Sequence, residues 1–94
     1  MAWRVEKQAN GKFAIWSSRL DDYIAIDASP DEIERLYAEK GVKVYLASAR
    51  MQLARETAVP AQGEEKIAAS RTRGHTPADP ADTPIGVTGY TLGD

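Results

Sequence analysis

The chain predicts an α+β fold: a three-stranded antiparallel β-meander packed against a long helix, whole or broken, followed by an extended Pro/Gly-rich C-terminal arm. Three observations carry this reading. Short runs of period-two alternation occupy residues 3–7, 13–16 and 23–27. A capped amphipathic stretch begins at Ser29. From Val59 onward, prolines, glycines and small residues displace the apolar periodicity. Residues 1–58 are read as one small α+β domain and residues 59–94 as an extended or flexible arm.

Trp3-Arg4-Val5-Glu6-Lys7 alternates apolar and charged side chains, the mark of a half-buried strand. Asn10-Gly11 follows, the strongest short hairpin signal, because a type I′ turn needs positive φ at both central residues. Phe13-Ala14-Ile15-Trp16 resumes the sheet, with Trp3, Val5, Phe13 and Ile15 expected on the core face. Ser17 to Asp22 is a polar break, and Tyr23-Ile24-Ala25-Ile26-Asp27 forms a third strand, with Ile24 and Ile26 pointing one way and Tyr23 and Ala25 the other.

Ser29-Pro30-Asp31-Glu32 is the clearest helix start. Ser29 and Glu32 have the spacing of a capping box, Pro30 falls where its missing N–H costs nothing, and the acidic pair suits the helix dipole. Ile33, Leu36 and Tyr37 supply the buried stripe. The sequence supports two continuations. In one, Gly41 stops the helix, Val42–Leu46 forms a fourth strand and a second helix runs from about Ser48 to Thr57. In the other, one helix runs from Pro30 to about Thr57, whole or kinked. The second is preferred, because Ile33, Tyr37, Val44, Ala47, Met51 and Ala54 lie close to one helical stripe. Val42, Leu46, Ala49 and Leu53 lie on another. Two stripes call for two surfaces, the sheet and a partner or second subunit. In the arm, Gly63–Ser70 is read as a short, weak helical turn, and the final stretch sets Ile85, Val87, Tyr90 and Leu92 among Gly and Thr like a peptide that docks on something.

With 94 residues and no cysteine, the chain forms one small domain without disulfide or thiolate-metal bracing, which makes oligomerisation or partner binding the expected remedy for a small core. The net charge is −2; the charges of residues 1–58 cancel and the arm carries the excess. Neither half has the basic surplus that phosphate-backbone binding needs, so nucleic acid is a disfavoured partner. No run approaches the length of a membrane span and the N-terminus lacks a signal-type apolar run, giving the expectation of a soluble protein of a bacterial cytoplasm or of a virion.

No catalytic constellation, metal site or cofactor is expected. Asp21, Asp22, Asp27, Asp31 and Glu32 lack the spacing of a calcium loop and belong to a turn and a helix start. His75, the single histidine, sits in Arg71-Thr72-Arg73-Gly74-His75 without an evident nucleophile to serve. Ser17 and Ser18 are not set in a nucleophile elbow, and no phosphate-cradling glycine loop occurs. The aromatic residues are more informative. Trp16 alternates away from Ile15 and Tyr45 away from Val44, and aromatics exposed on a sheet face mark interfaces. Trp16, Tyr45 and Tyr23, with Ile85, Val87, Tyr90 and Leu92 of the arm, are therefore the candidate partner-binding residues.

The segment Trp3-x-Val5-x-Lys7-Gln8-x-Asn10-Gly11, with Ser17-Ser18, Asp21-Asp22-Tyr23-Ile24 and Ser29-Pro30-Asp31-Glu32, resembles short uncharacterised proteins of bacteriophages, prophages and their proteobacterial hosts. The resemblance covers roughly the first 40 residues and implies a phage or mobile-element setting, with no catalytic residues to carry over. The functional expectation is a non-catalytic protein-binding module that binds or inhibits a host factor. The alternative is an accessory component of a phage-type assembly whose arm laces neighbouring subunits together. Self-association is compatible with both, and a small nucleotide ligand is left open.

Overall fold

A computed structural model of the chain describes residues 3–39, 43–55 and 58–76. Strands β1 (Trp3–Lys7), β2 (Phe13–Ser17) and β3 (Asp22–Ala28) form one antiparallel sheet in the order β1-β2-β3, the expected meander. The first hairpin closes differently from expectation. Gly11 alone has positive φ (84°); Asn10 does not. The Gly11 N–H bonds the Gln8 carbonyl at 3.0 Å and the Gln8 N–H bonds the Lys12 carbonyl at 2.7 Å. This is the three-residue loop that ends in a left-handed glycine rather than a type I′ turn. It leaves the Asn10 amide free to accept from the Lys12 N–H (3.0 Å) and donate to Asp27 (3.2 Å).

Seven residues of β3 oppose five of β2. The pairing shifts between Phe13↔Ala28 and Ile15↔Ala25, and again before Trp16↔Tyr23. Each shift is a bulge with one extra residue on β3, and Asp27 takes φ 58° at the first. The bulges separate two residues expected on one side. Ile24 joins Trp3, Val5, Phe13 and Ile15 on one face of the sheet, whereas Ile26 lies with Ala14 and Tyr23 on the other.

Two helices cover the first face. Helix α1 (Pro30–Ala38) begins with the complete capping box: Glu32 N–H donates to Ser29 Oγ at 3.2 Å and Ser29 N–H to Glu32 Oε1 at 3.0 Å. Ile33, Leu36 and Tyr37 are buried against the sheet, Tyr37 edge-on to Trp3 with ring centroids 5.4 Å apart. Helix α2 (Lys43–Arg55) replaces the fourth-strand alternative from Lys43 onward. The preferred single helix is also replaced, by two packed ones. Arg50 Nε donates to Glu34 Oε1 at 2.7 Å, while 16 residues of continuous helix would set these positions about 24 Å apart. The stripe read as continuous is likewise divided: Ile33 and Tyr37 are buried, Ala47, Met51 and Ala54 exposed. Gly41 lies outside the described residues.

The reading of residues 59–94 as an extended arm is corrected at its start. Helix α3 (Ala61–Arg73) packs on the second face of the sheet, burying Gly63, Ile67 and Ser70, so the sheet lies between two helical layers. Its stripe is legible only as the i, i+4, i+7 spacing of one large apolar residue and two small ones, hence its reading as a weak turn. Residues 77–94 lie outside the described residues. No helix among those described is long and apolar enough to cross a membrane.

Candidate functional site

On the second face, cross-strand pairing aligns Arg4, Trp16 and Tyr23 in one row, with Glu6 opposite Ala14 in the next. Trp16 is half-buried and meets the buried Tyr23 ring edge-on, centroids 5.1 Å apart. The Arg4 guanidinium stands 5.9 Å and the Lys66 ammonium 5.5 Å from the Trp16 ring centre, within reach of the indole's negative face.

Beneath this row lies a buried polar chain. Glu6 is 2 % exposed; Arg4 Nε and Nη2 donate to its Oε2 at 2.9 and 2.7 Å, and the Tyr23 hydroxyl donates to its Oε1 at 2.5 Å. Ala14, opposite Glu6, is small enough for Tyr23 to reach across it. Burial first, and the Glu6 carboxylate second, push the Tyr23 phenol far above its ordinary pKa, so it remains a donor.

Helix α3 closes the site from above. It starts at Pro60, which supplies no side-chain cap, and its first turn approaches closely because residue 63 is glycine. A Cβ there would lie 2.1 Å from the Tyr23 hydroxyl oxygen and 2.6 Å from Val59 Cγ1. Lys66 Nζ donates to the Asp21 carbonyl at 2.5 Å. Between these parts opens a cleft of about 350 Å³ lined by Arg4, Trp16, Asp21, Pro60, Gln62 and Lys66, with Gly63 at its back.

A second polar cluster ties the far end of α3 to the sheet. The Asp27 carboxylate accepts from Gln8 Nε2 (2.9 Å), Asn10 Nδ2 (3.2 Å) and Arg71 Nε (2.9 Å), and pairs with Arg71 Nη2. The Arg71 guanidinium, helped by the two amides and opposed by burial, holds the Asp27 carboxyl down at about 2. This cluster spends its charges on the fold.

Of the partner-binding residues read from the sequence, Trp16 alone is seen at an accessible site. Tyr23 is corrected: it is fully buried, set against the Trp16 ring and not part of the cleft's lining. Tyr45 falls in α2, its side chain outside those described, and Ile85, Val87, Tyr90 and Leu92 lie outside the described residues. Trp16 and helix α2 stand on opposite sides of the sheet. Among the described residues no three His, Asp or Glu side chains converge as a metal site. His75 is exposed beyond α3, and Ser17 is buried and accepts from the Leu20 N–H at 3.4 Å.

Sequence reasoning missed Glu6, Gln62, Gly63 and Lys66. Glu6 looked like the solvent-facing member of an alternating strand, and the other three lie in a helix read as arm. No protein-family model, curated protein or solved structure matches the chain.

Proposed function

We propose that the protein is a small non-catalytic binding module of phage or prophage origin that engages a bacterial host protein through the Trp16 cleft. The observation that carries this is the half-exposed indole, held from below by Tyr23 and flanked by Arg4 and Lys66 at the mouth of a 350 Å³ cleft. Trp and Arg dominate binding energetics where they are fixed before the partner arrives, because little side-chain entropy remains to be lost. The closed polar chains support a non-catalytic reading: Arg4–Glu6–Tyr23 and Gln8–Asn10–Asp27–Arg71 use their charges to join elements. The phage setting rests on the resemblance of the first 40 residues.

The test is affinity capture from lysate of a proteobacterial host, comparing the parent with Trp16→Ala and Met51→Ala. Met51, 55 % exposed on the outer stripe of α2, is the control on the opposite side of the molecule. Loss of a stoichiometric partner by Trp16→Ala alone, with unchanged circular dichroism, is the expected result. Equal capture by parent and Trp16→Ala sinks the assignment.

A further inference from the structure

The Trp16 cleft carries a more specific chemistry, which rests on the binding-module reading. We infer that it accepts an acidic side chain of the partner, set next to an apolar residue that lies on the indole. Its two cations differ in how they are held, and both are open to a ligand. Arg4 spends Nε and Nη2 on one oxygen of Glu6, yet its side chain stays 53 % exposed. Glu6 cannot swing out to compete, because it is buried and its other oxygen is taken by Tyr23. Lys66 is bound to a backbone carbonyl, and the Asp21 carboxylate lies 3.8 Å from it and is 84 % exposed. An exposed pair at that separation contributes close to nothing, so an incoming carboxylate displaces Asp21 at little cost.

The neighbouring groups are mixed in sign: Asp21 lines the cleft and Glu64 lies in the first turn of α3, beside the positive end of that helix's dipole. That turn has no side-chain cap and borders the same cleft. The indole and Pro60 provide an apolar wall beside the cations. The volume of about 350 Å³ lies at the low end for organic-ligand pockets, which suits one or two anchoring side chains.

The experiment uses the full chain, ¹⁵N-labelled, observing the indole N–H signals of Trp3 and Trp16. Three capped hexapeptides are titrated in: alternating glutamate–leucine, glutamine–leucine and lysine–leucine. Adenosine monophosphate and inorganic phosphate serve as free-anion arms. The inference expects the glutamate peptide to shift the Trp16 signal saturably, leave the buried Trp3 signal in place, and bind at least about tenfold tighter than the other two peptides. Binding should weaken as salt is raised from 0.05 to 0.5 M, concentrations chosen to shorten the screening length several-fold. Lys66→Gln should weaken it roughly threefold and Lys66→Glu more. Lys66 is chosen because its removal leaves no buried charge, whereas loss of Arg4 would orphan Glu6. Equal binding of the glutamine peptide, or an unmoved Trp16 signal, overturns the inference. So does tighter binding of either free anion, which would make the cleft a small-anion pocket. A captured host partner that is lost by Trp16→Ala but retained in full by Lys66→Glu overturns the acidic anchor while leaving the binding module standing.

Discussion

At the scale of single residues, the fold turns on a few positions whose roles are set by very local geometry. Gly63 is the sharpest. Its missing Cβ is the space into which the Tyr23 hydroxyl and Val59 project, and that hydroxyl is the donor that satisfies the buried Glu6. Gly63→Ala should therefore destabilise the protein by about 1–3 kcal/mol, the cost of overpacking, even though alanine is the better helix former by about 1 kcal/mol. Urea unfolding checks this: a midpoint at or above that of the parent would show that α3 shifts freely, and that the close approach is not needed. Asp27 is another such position. Its left-handed backbone is unusual for a residue with a side chain and coincides with the bulge that turns its carboxylate toward Gln8, Asn10 and Arg71.

At the scale of elements, the two helical layers are held by different forces. Helices α1 and α2 cover an apolar face of Trp3, Val5, Phe13, Ile15 and Ile24. Helix α3 covers a face that includes Glu6, Gln8 and Tyr23, and buries one large apolar side chain, Ile67. Much of its docking is polar: Glu64 accepts from the Ala9 N–H at 3.2 Å, Lys66 from α3 reaches Asp21, and Arg71 reaches Asp27. Apolar burial does not screen, whereas exposed ion pairs do. Hydrogen exchange should then show α3 amides opening before those of α1, with the gap widening at 0.5 M salt. Equal protection at both salt concentrations would mean that α3 docks chiefly by packing. The same contrast explains what was legible beforehand. The alternation of Trp3–Lys7 and the Ser29–Glu32 box are local signals and are realised as read. Helix α3 was legible only as a short turn over Gly63–Ser70, because its stripe of Gly63, Ile67 and Ser70 becomes a packing surface only above Tyr23 and Ala14.

At the scale of the whole molecule, the sheet's edges and its charge network set how it behaves. The Val5 N–H at the β1 edge donates to Gln52 Oε1 at 2.7 Å, and the Lys7 carbonyl accepts from the Val59 N–H at 2.8 Å. The β3 edge is bulged twice, its Tyr23 N–H turned to Asp22 Oδ1 (2.7 Å) and its Ile24 carbonyl to Thr76 Oγ1 (2.9 Å). Such edges are poor templates for an added strand, which favours side-chain recognition at the Trp16 cleft over strand addition to this sheet. Asp27 links the first hairpin, β3 and α3, so its titration is felt globally. Its carboxyl is held from 3.8 down to about 2, chiefly by Arg71. The folded chain thus keeps it ionised where the unfolded chain takes up a proton. That stabilisation, about 2 kcal/mol, is fully present above pH about 4 and is lost as pH falls through about 2. Asp27→Asn should lower stability at neutral pH and give a shallower decline between pH 4 and 2 in urea titrations. A decline as steep as the parent's would place the acid sensitivity in other carboxylates.

By itself the sequence determined the α+β class, the three strands, the capped start of α1 and the outward-leaning Trp16. Each is written in contiguous residues through period, turn chemistry or cap spacing, and such signals act before any long-range contact forms. Only the tertiary structure decided the break between α1 and α2, the burial of Tyr23, the docking of α3 and the cleft it completes. Those features depend on groups 16 to 47 residues apart in the chain: Arg50 with Glu34, Tyr23 with Glu6, Arg71 with Asp27, Val5 with Gln52. Whether a polar residue pairs inside or faces water depends on what the rest of the chain brings to it, and no local pattern encodes that.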